Sequence, residues 1–372
     1  MIFFDDIEVS ISKEYIIIES KKPIKVLSSA PINGGLRFSN KIINLWIPED
    51  FYYDPIAYYK SKNVDSNAIC LMTGADLMKA GIAKKESSNI KVLAIVTAGI
   101  SNALSITDWN IMRKTKIPNI GTINIIVIVD REMTESCMVN AITTITEAKC
   151  KVLSSFDIRS FISYEQATGT SSDALAIASL GKGNAIEYAG SATELGWLIA
   201  SCVEDALNNA LICNNIKTER KLLLRLKERG ILLEDLISTA MEIYVPHPNY
   251  SKEEAKEIFK RILLEVMDDI NVSSLVIAGL RLNEDGERGL IPNMSAENYK
   301  KDPVNLVADE ILGISIAMYI AGYNGLFEFY RFDRKKPGIL KNLPPFIDDV
   351  IGGLLAGVSS KMYSYMIEER KK

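Results

Sequence analysis

The chain has 372 residues, 48% of them hydrophobic and 24% charged, with a formal net charge of −4. That length predicts two domains, with apolar side chains enough for two cores. An acidic chain without a basic stretch offers no footprint for nucleic acid, and five scattered cysteines with no C-x-x-C pair argue against a zinc site and for reduced, mostly buried thiols in a cytoplasmic protein.

The opening residues, Met1-Ile2-Phe3-Phe4-Asp5-Asp6, lack the basic start of a signal peptide. Strand and helix patterns then alternate over the first ~210 residues, which predicts an α/β domain with a mixed sheet and covering helices. Glu14–Glu19 is a short β-rich run. Lys91–Ala98 and Thr122–Asp130 are apolar and β-branched and read as buried strands. Polar or small residues follow each: Gly99, Ser101 and Asn102 after one, Asp130, Arg131 and Glu132 after the other. α/β sheets often bind ligands at such strand ends. Met138, Ile142, Ile145 and Ala148 recur at helical spacing across Thr134–Lys149. Ala167-Thr168-Gly169-Thr170-Ser171-Ser172-Asp173 then gathers hydroxyls, glycines and a carboxylate before the apolar run Ala174–Ala178. Ser191-x-x-Glu194 has the spacing of a capping box opening a helix over Glu194–Ile212.

A polar segment, Asn214–Lys221, predicts a boundary between domains 1–214 and 215–372. Beyond it the pattern is that of an all-α helical bundle, with helices over Glu234–Tyr244 and Lys252–Asp269, the latter opened by a Ser251/Glu254 capping box. Asp302-Pro303 offers an N-cap for a helix running to about Ile320, and Pro344-Pro345 opens the last helix. The longest apolar stretch, Ile311–Phe327, is interrupted by Ser315, Tyr319, Tyr323 and Asn324. It reads as a buried bundle helix, with no stable membrane insertion.

The chain holds one histidine, His247, in a proline-flanked loop. A Ser-His-Asp or Cys-His arrangement in the first domain is therefore impossible, and acid–base work falls to carboxylates, lysine, tyrosine or water.

Ser28-Ser29-Ala30, Asn33-Gly34-Gly35, Thr73-Gly74-Ala75, Val96–Asn102, Gly121–Asn124 and the Ala167–Asp173 block occur in an order that resembles the adenosylcobinamide amidohydrolase family. The resemblance implies a corrinoid substrate and hydrolysis of the amide that joins its aminopropanol arm to the ring. An amide needs a nucleophile, a place for the oxyanion and a proton for the departing amine. Thr97, Ser101, Thr168 and Thr170 can supply hydroxyls, and Asp130, Glu132 and Asp173 can act as bases. Asn33, Asn102 and Asn124 suit the amide arms of a corrin, with Gly34, Thr122, Gly169 and Ser191 lining the same site. Trp109 or the Phe51-Tyr52-Tyr53 cluster could cover the flat corrin or the adenosyl group, though such aromatics more often fill core or surface.

The final third carries Asp309-Glu310, Asp333 and Asp348-Asp349. Adjacent helical residues do not share a face, so each pair is expected to send one carboxylate inward and leave one at the edge. Carboxylates among Ile311, Ile314, Ile316, Val350, Ile351 and Leu354 are costly unless compensated, and a magnesium or other divalent ion would compensate them. Ala308–Leu312, Asp333–Ile339 and Phe346–Val350 resemble the phosphatidylglycerophosphatase A family, more closely its soluble α-ribazole phosphatase branch. That implies phosphomonoester hydrolysis on a nucleotide phosphate, with Asp309, Glu310, Asp333, Asp348 and Asp349 positioning metal or water and Lys336 contacting phosphate. Arg331 is a second candidate for the phosphate oxygens. The membrane spans and the proline/glycine-rich segment of the lipid enzymes are not found. Together the resemblances imply a two-domain cobamide salvage hydrolase acting on small molecules, with a homo-oligomer left open.

Overall fold

The computed structural model describes residues 1–4, 6–48, 51, 54–62, 64–115 and 121–369. They form two compact units, Met1–Glu219 and Arg220–Lys372. The division falls five residues beyond the sequence-based boundary. Ile216 packs on the first unit's core, and its N–H donates to the Leu211 carbonyl, which ties the polar segment to that unit.

In the first unit β1 (Ile2–Phe3), β2 (Ile7–Ile11), β3 (Tyr15–Ser28) and β4 (Gly35–Trp46) precede α1 (Pro55–Ser61). Then come β5 (Ile69–Thr73), β6 (Gly81–Glu86), β7 (Lys91–Ala98), β8 (Ala103–Leu104) and α2 (Trp109–Met112). β9 (Ile123–Met133), α3 (Glu135–Ser155), β10 (Gly169–Thr170), β11 (Ala174–Ile186) and α4 (Glu194–Cys213) complete it. The main sheet runs β1-β2-β3-β11-β9-β7-β6, with β4 on β3 and β5 parallel to β4; β8 and β10 form a separate ribbon. β11 is parallel to β9, while β3, β7 and β9 make antiparallel pairs, so the sheet is mixed.

β7 and β9 are buried on both faces, which is why they read as continuous apolar runs rather than alternating ones. Val92, Ala94, Val96, Ile125 and Val127 face Met138, Ile145, Leu198 and Val203 of α3 and α4. The alternate residues Leu93, Ile95, Ile126 and Ile128 face Ile16, Ile18, Ile42 and Leu71. The sheet thus curls, bringing β2–β5 over the face that the helices leave open. Thr134 caps α3 through the Cys137 N–H, and Thr193 caps α4 through the Gly196 N–H. Ser191 is not the cap: α4 begins at Glu194 with Thr193 as its N-cap, so Ser191 lies two residues before the cap and is exposed.

All described elements of the second unit are helical. They are α5 (Leu222–Lys227), α6 (Leu233–Glu242), α7 (Lys252–Met267), α8 (Ile270–Arg288), α9 (Ala296–Tyr299), α10 (Ala308–Lys335) and α11 (Pro345–Glu369), with a short 3₁₀ turn, Gly338–Asn342, between the last two. The Ser251/Glu254 capping box is present in both directions. α11 is buried on every side from Phe346 to Ser360, as a central helix with apolar residues all round must be.

α10 departs from the sequence reading twice. It begins at Ala308, not near Asp302, whose φ of 47° is left-handed and unlike the extended backbone of an N-cap. It is also broken at Ala321–Gly322, where Gly322 has φ 60° and ψ −146°. The two halves fold against each other: a Cβ on Gly313 would lie 2.7 Å from the Phe329 ring, and one on Gly325 2.1 Å from the Ala317 carbonyl oxygen. Only the positions facing this contact and α11 are buried. Ile311–Phe327 is therefore not the buried bundle helix that its composition suggests, for Ile311, Met318, Tyr319, Tyr323 and Phe327 lie on the surface.

Candidate functional site

The inward face of the curled sheet runs Ile42, Leu71, Ile95 and Ile126, and two residues further along the same rows come Asn44, Thr73, Thr97 and Asn124. One end of an aliphatic interior is thus polar, and its groups are paired. Asn124 donates to Asn44 Oδ1 at 2.8 Å and to the Met72 carbonyl at 2.8 Å, and Asn44 donates to Thr97 Oγ1 at 2.9 Å. The Asn124 amide oxygen accepts the Ala174 N–H. All of Asn44, Thr97 and Asn124 are at most 2% exposed.

At the same strand ends lies the glycine–hydroxyl loop. Asp173 accepts from the Thr170 hydroxyl at 2.5 Å, from the Thr170 and Ile123 N–H groups, and from Lys149 Nζ at 2.5 Å. Thr122 and Ser172 share a hydrogen bond of 2.8 Å, and Thr168 Oγ1 accepts the Ile106 N–H. Gly169 leaves room for the Lys149–Asp173 pair, since a Cβ there would meet Asp173 Oδ2 at 2.4 Å. Asn102 donates to Ser171 Oγ at 2.7 Å, but its buried Oδ1 has no hydrogen-bond partner. That oxygen faces Gly121, where a Cβ would approach within 2.3 Å, with exposed Ser101 beside it.

Thr97, Ser101, Asn102, Thr122, Asn124, Thr168, Gly169, Thr170 and Asp173 are therefore gathered at one end of the sheet. Three other residues are not. Asp130 sits six residues along β9 from Asn124, about 20 Å at the rise of a strand, and accepts the Lys91 N–H. Glu132 beside it is paired with Lys25. Ser191 follows the far end of β11. These positions come after strands running in opposite directions, so the small residues after β7 and those after β9 lie at opposite ends. Asn33, left-handed at φ 53° and separated by Gly34 from left-handed Gly35, donates to the Ser66 and Ala68 carbonyls and borders a cavity of about 390 Å³ with Ile56, Tyr59 and Lys60. Trp109 is exposed, Phe51 packs edge-on against Tyr58, and Tyr52 and Tyr53 lie outside the described residues. Burial pushes the Cys70 and Cys202 thiols up to about 12 and Cys137 up to about 11, so these are inert core thiols.

In the second unit carboxylates from distant parts of the chain converge. One oxygen each of Asp309, Glu310 and Asp349 lie within 4.8 Å of one another. Lys336, the left-handed C-cap of α10, reaches Asp348 Oδ2 at 2.5 Å, Asp349 Oδ1 at 3.2 Å and Asp333 Oδ1 at 3.3 Å. Burial, together with the neighbouring Glu310, pushes the Asp309 carboxyl up to about 8. Burial and the Asp348 charge push Asp349 up to about 7 against the pull of Lys336, and burial pushes Asp348 up to about 6. Burial would lower Lys336, but its bonds to Asp348 and Asp349 outweigh that and raise it. Glu310 Oε2 and Asp348 Oδ1 are buried with no hydrogen-bond partner. Asp348 and Asp349 are both buried, against the expectation of one inward and one at the edge, because α11 has no exposed edge there. Arg331 does not join them: Glu328 and the Ile243 carbonyl hold its guanidinium.

Residues 3–219, more than half of the chain, match the family model of adenosylcobinamide amidohydrolase. The chain belongs to the adenosylcobinamide amidohydrolase family. Residues 257–364 match the model of phosphatidylglycerophosphatase A, so a phosphatase-like region follows the amidohydrolase region. Two uncharacterized proteins of Methanocaldococcus jannaschii are similar. One is 38% identical over 34% of this chain and 99% of its own length, the other 34% identical over 53% and 85%. An adenosylcobinamide amidohydrolase of Halobacterium salinarum is 24% identical over 48% of this chain and 77% of its own.

Within this amidohydrolase-family unit, sequence reasoning missed Asn44 and Lys149. Asn44 carries a signal, a lone amide inside the strand run Ile42-Ile43-Asn44-Leu45. Lys149 carries none, since a lysine late in a helix ordinarily lies in solvent.

Proposed function

We propose that the chain is a bifunctional cobamide salvage hydrolase. Its first unit cleaves the amide of adenosylcobinamide to give adenosylcobyric acid and aminopropanol. Its second removes the phosphate from α-ribazole 5′-phosphate or from an adenosylcobalamin 5′-phosphate. The observation that carries the reading is the pairing, in one chain, of a corrinoid amidohydrolase sequence with a buried carboxylate cluster, two of whose oxygens lack donors.

The second site fits a hard divalent cation such as magnesium: its donor atoms are all carboxylate oxygens, and Glu310 Oε2 among them is buried without a hydrogen-bond partner. Asp309, Glu310 and Asp349 would hold the ion. When bound it would neutralise phosphate charge and make water a better nucleophile. Asp348 and Asp333 fix Lys336, which brings the positive charge of this chain to the phosphate oxygens.

In the first unit the bonds that Asp173 accepts from Thr170, Ile123 and Lys149 suit it to hold the loop rather than to take a proton. Asn102 Oδ1 is the free buried acceptor, and we assign it to an amide N–H of the corrinoid. Thr97 and Asn124 position the strand ends behind it. Mass spectrometry of products from adenosylcobinamide, with and without a chelator, tests the amide half. Cobyric acid should form under both conditions, and binding without cobyric acid would leave a corrinoid-binding module. Turnover of α-ribazole phosphate against phosphatidylglycerophosphate tests the other half, with release of phosphate from the nucleotide only, and only with the divalent ion present.

A further inference from the structure

The broken helix α10 presents an apolar face that no described residue covers. Tyr323 and Phe327 are each 72% exposed, Tyr330 59%, Ile311 58%, Tyr319 51% and Met318 37%. They come from both halves of the folded helix, and no charged residue occurs between Glu310 and Glu328. The inward positions need only Gly313, Ile316, Ala317, Ile320, Gly325 and Phe329 to pack, so folding of the unit does not account for the outer row.

We propose that this face docks on the same face of a second copy of the chain, forming a two-fold dimer. The area fits: aromatic side chains of 150–250 Å² each, exposed to this degree, give roughly 700–800 Å² with their aliphatic neighbours, the contribution of each partner to an interface of ordinary size. That is more than the largest apolar patch of most monomers. The composition fits as well, since tyrosine, phenylalanine and methionine are enriched at the centre of protein interfaces and lysine and glutamate depleted. A two-fold interface uses the same patch on both subunits, so this one face supplies both sides of the contact. Its edge carries Asp269, which accepts from the Tyr319 hydroxyl, the Glu328–Arg331 ion pair, and Arg334, which donates to the Tyr330 hydroxyl.

Sedimentation equilibrium of the full chain over a dilution series tests the proposal, with flotation on phosphatidylcholine and phosphatidylglycerol vesicles in parallel. The expected result is a species of twice the 41.3 kDa monomer at micromolar concentration and no flotation. The double substitution Tyr323→Glu/Phe327→Glu should weaken association at least tenfold without changing the far-UV circular dichroism, since both side chains are largely exposed. Trp197→Glu, at an exposed position on α4, should leave association unchanged. A wild-type chain that stays monomeric at tens of micromolar overturns the proposal. So does a dimer indifferent to the double substitution, or wild-type protein that floats with vesicles and is monomeric without them.

Discussion

The two polar clusters of this protein are opposites in how they treat their own groups. At the end of the curled sheet Asn44, Thr97, Asn124 and Asp173 satisfy one another and the backbone, and Asn102 Oδ1 is left over. Among the helices Asp309, Asp348 and Asp349 are buried close together, burial raises all three carboxyls, and Glu310 Oε2 and Asp348 Oδ1 have no hydrogen-bond partner. The first arrangement is organised before any ligand arrives. The second holds one lysine among several buried carboxyls, and it takes up protons where a further cation could bind. Hydrogen-bonded networks stabilise a fold, whereas uncompensated carboxylates destabilise it and are kept for what they bind.

The largest expected effect separates the two clusters most sharply. Asp349→Asn should lower phosphate release by at least about 10²-fold, because it removes a candidate cation ligand. Amide hydrolysis should be unchanged. The same variant should be more stable than the wild type above pH 7 without metal, since the lost carboxylate is one that burial disfavours. Phosphatase assays and melting curves on one preparation check both parts, and loss of stability together with activity would make Asp349 a packing residue. Asn124→Ala should do the reverse. It leaves Asn44 Oδ1, the Met72 carbonyl and the Ala174 N–H without a partner, a cost of roughly 2–4 kcal/mol. The melting temperature of the first unit should fall by roughly 5–15 °C, with phosphatase activity retained.

How much of this was legible in the sequence differs between the clusters for the same physical reason. β7 was readable to the residue, because burial on both faces leaves an unbroken apolar run between polar ends. β3 was readable only at its start. Its continuation to Ser28 passes through Lys21-Lys22-Pro23, where the register against β4 shifts, and a pattern with period two stops there. The acidic residues of the second unit could be gathered on paper because buried carboxylates demand compensation whatever the topology. The first site could be listed but not sorted. Asp130 and Asp173 look alike in sequence, and only the parallel pairing of β11 with β9, which sets Ala174 beside Asn124, puts them at opposite ends. The turn at Gly322 was invisible for a simpler reason: a glycine inside a helical pattern is usually tolerated, and nothing local says that the chain reverses there.

The raised carboxyls give the comparison a pH signature. In the metal-free protein Asp309 and Asp349 hold protons to about pH 8 and 7, well above the ordinary aspartate value of 3.8. The folded state therefore binds more protons than the unfolded chain between about pH 4 and 8, and by linkage its stability falls as pH rises through that window. A divalent cation competes with those protons, so magnesium should raise the melting temperature more at pH 8.5 than at pH 5.5. Thermal scans at both values check this, and Asp309→Asn/Asp349→Asn should flatten the difference. Equal stabilisation at the two values would place the ion elsewhere.

The smallest expected effect is the most demanding test of the first site. Asp130 makes one described hydrogen bond, to the Lys91 N–H, and lies about six strand residues (roughly 20 Å) from Asn124. Asp130→Asn keeps an acceptor for that N–H, so it should cost under ~1 kcal/mol and leave amide hydrolysis within about twofold of the wild type. Asn102→Ala should cost as little in stability, since it loses only the bond to Ser171, yet it should lower amide hydrolysis by about 10–100-fold, the loss expected when a substrate donor goes unpaired. The two variants resemble each other thermally and should differ in turnover. If Asp130→Asn abolishes amide cleavage and Asn102→Ala does not, the reaction takes place at the opposite end of the sheet, among Asp130, Glu132 and Lys25, and the paired network around Asn124 is scaffold alone.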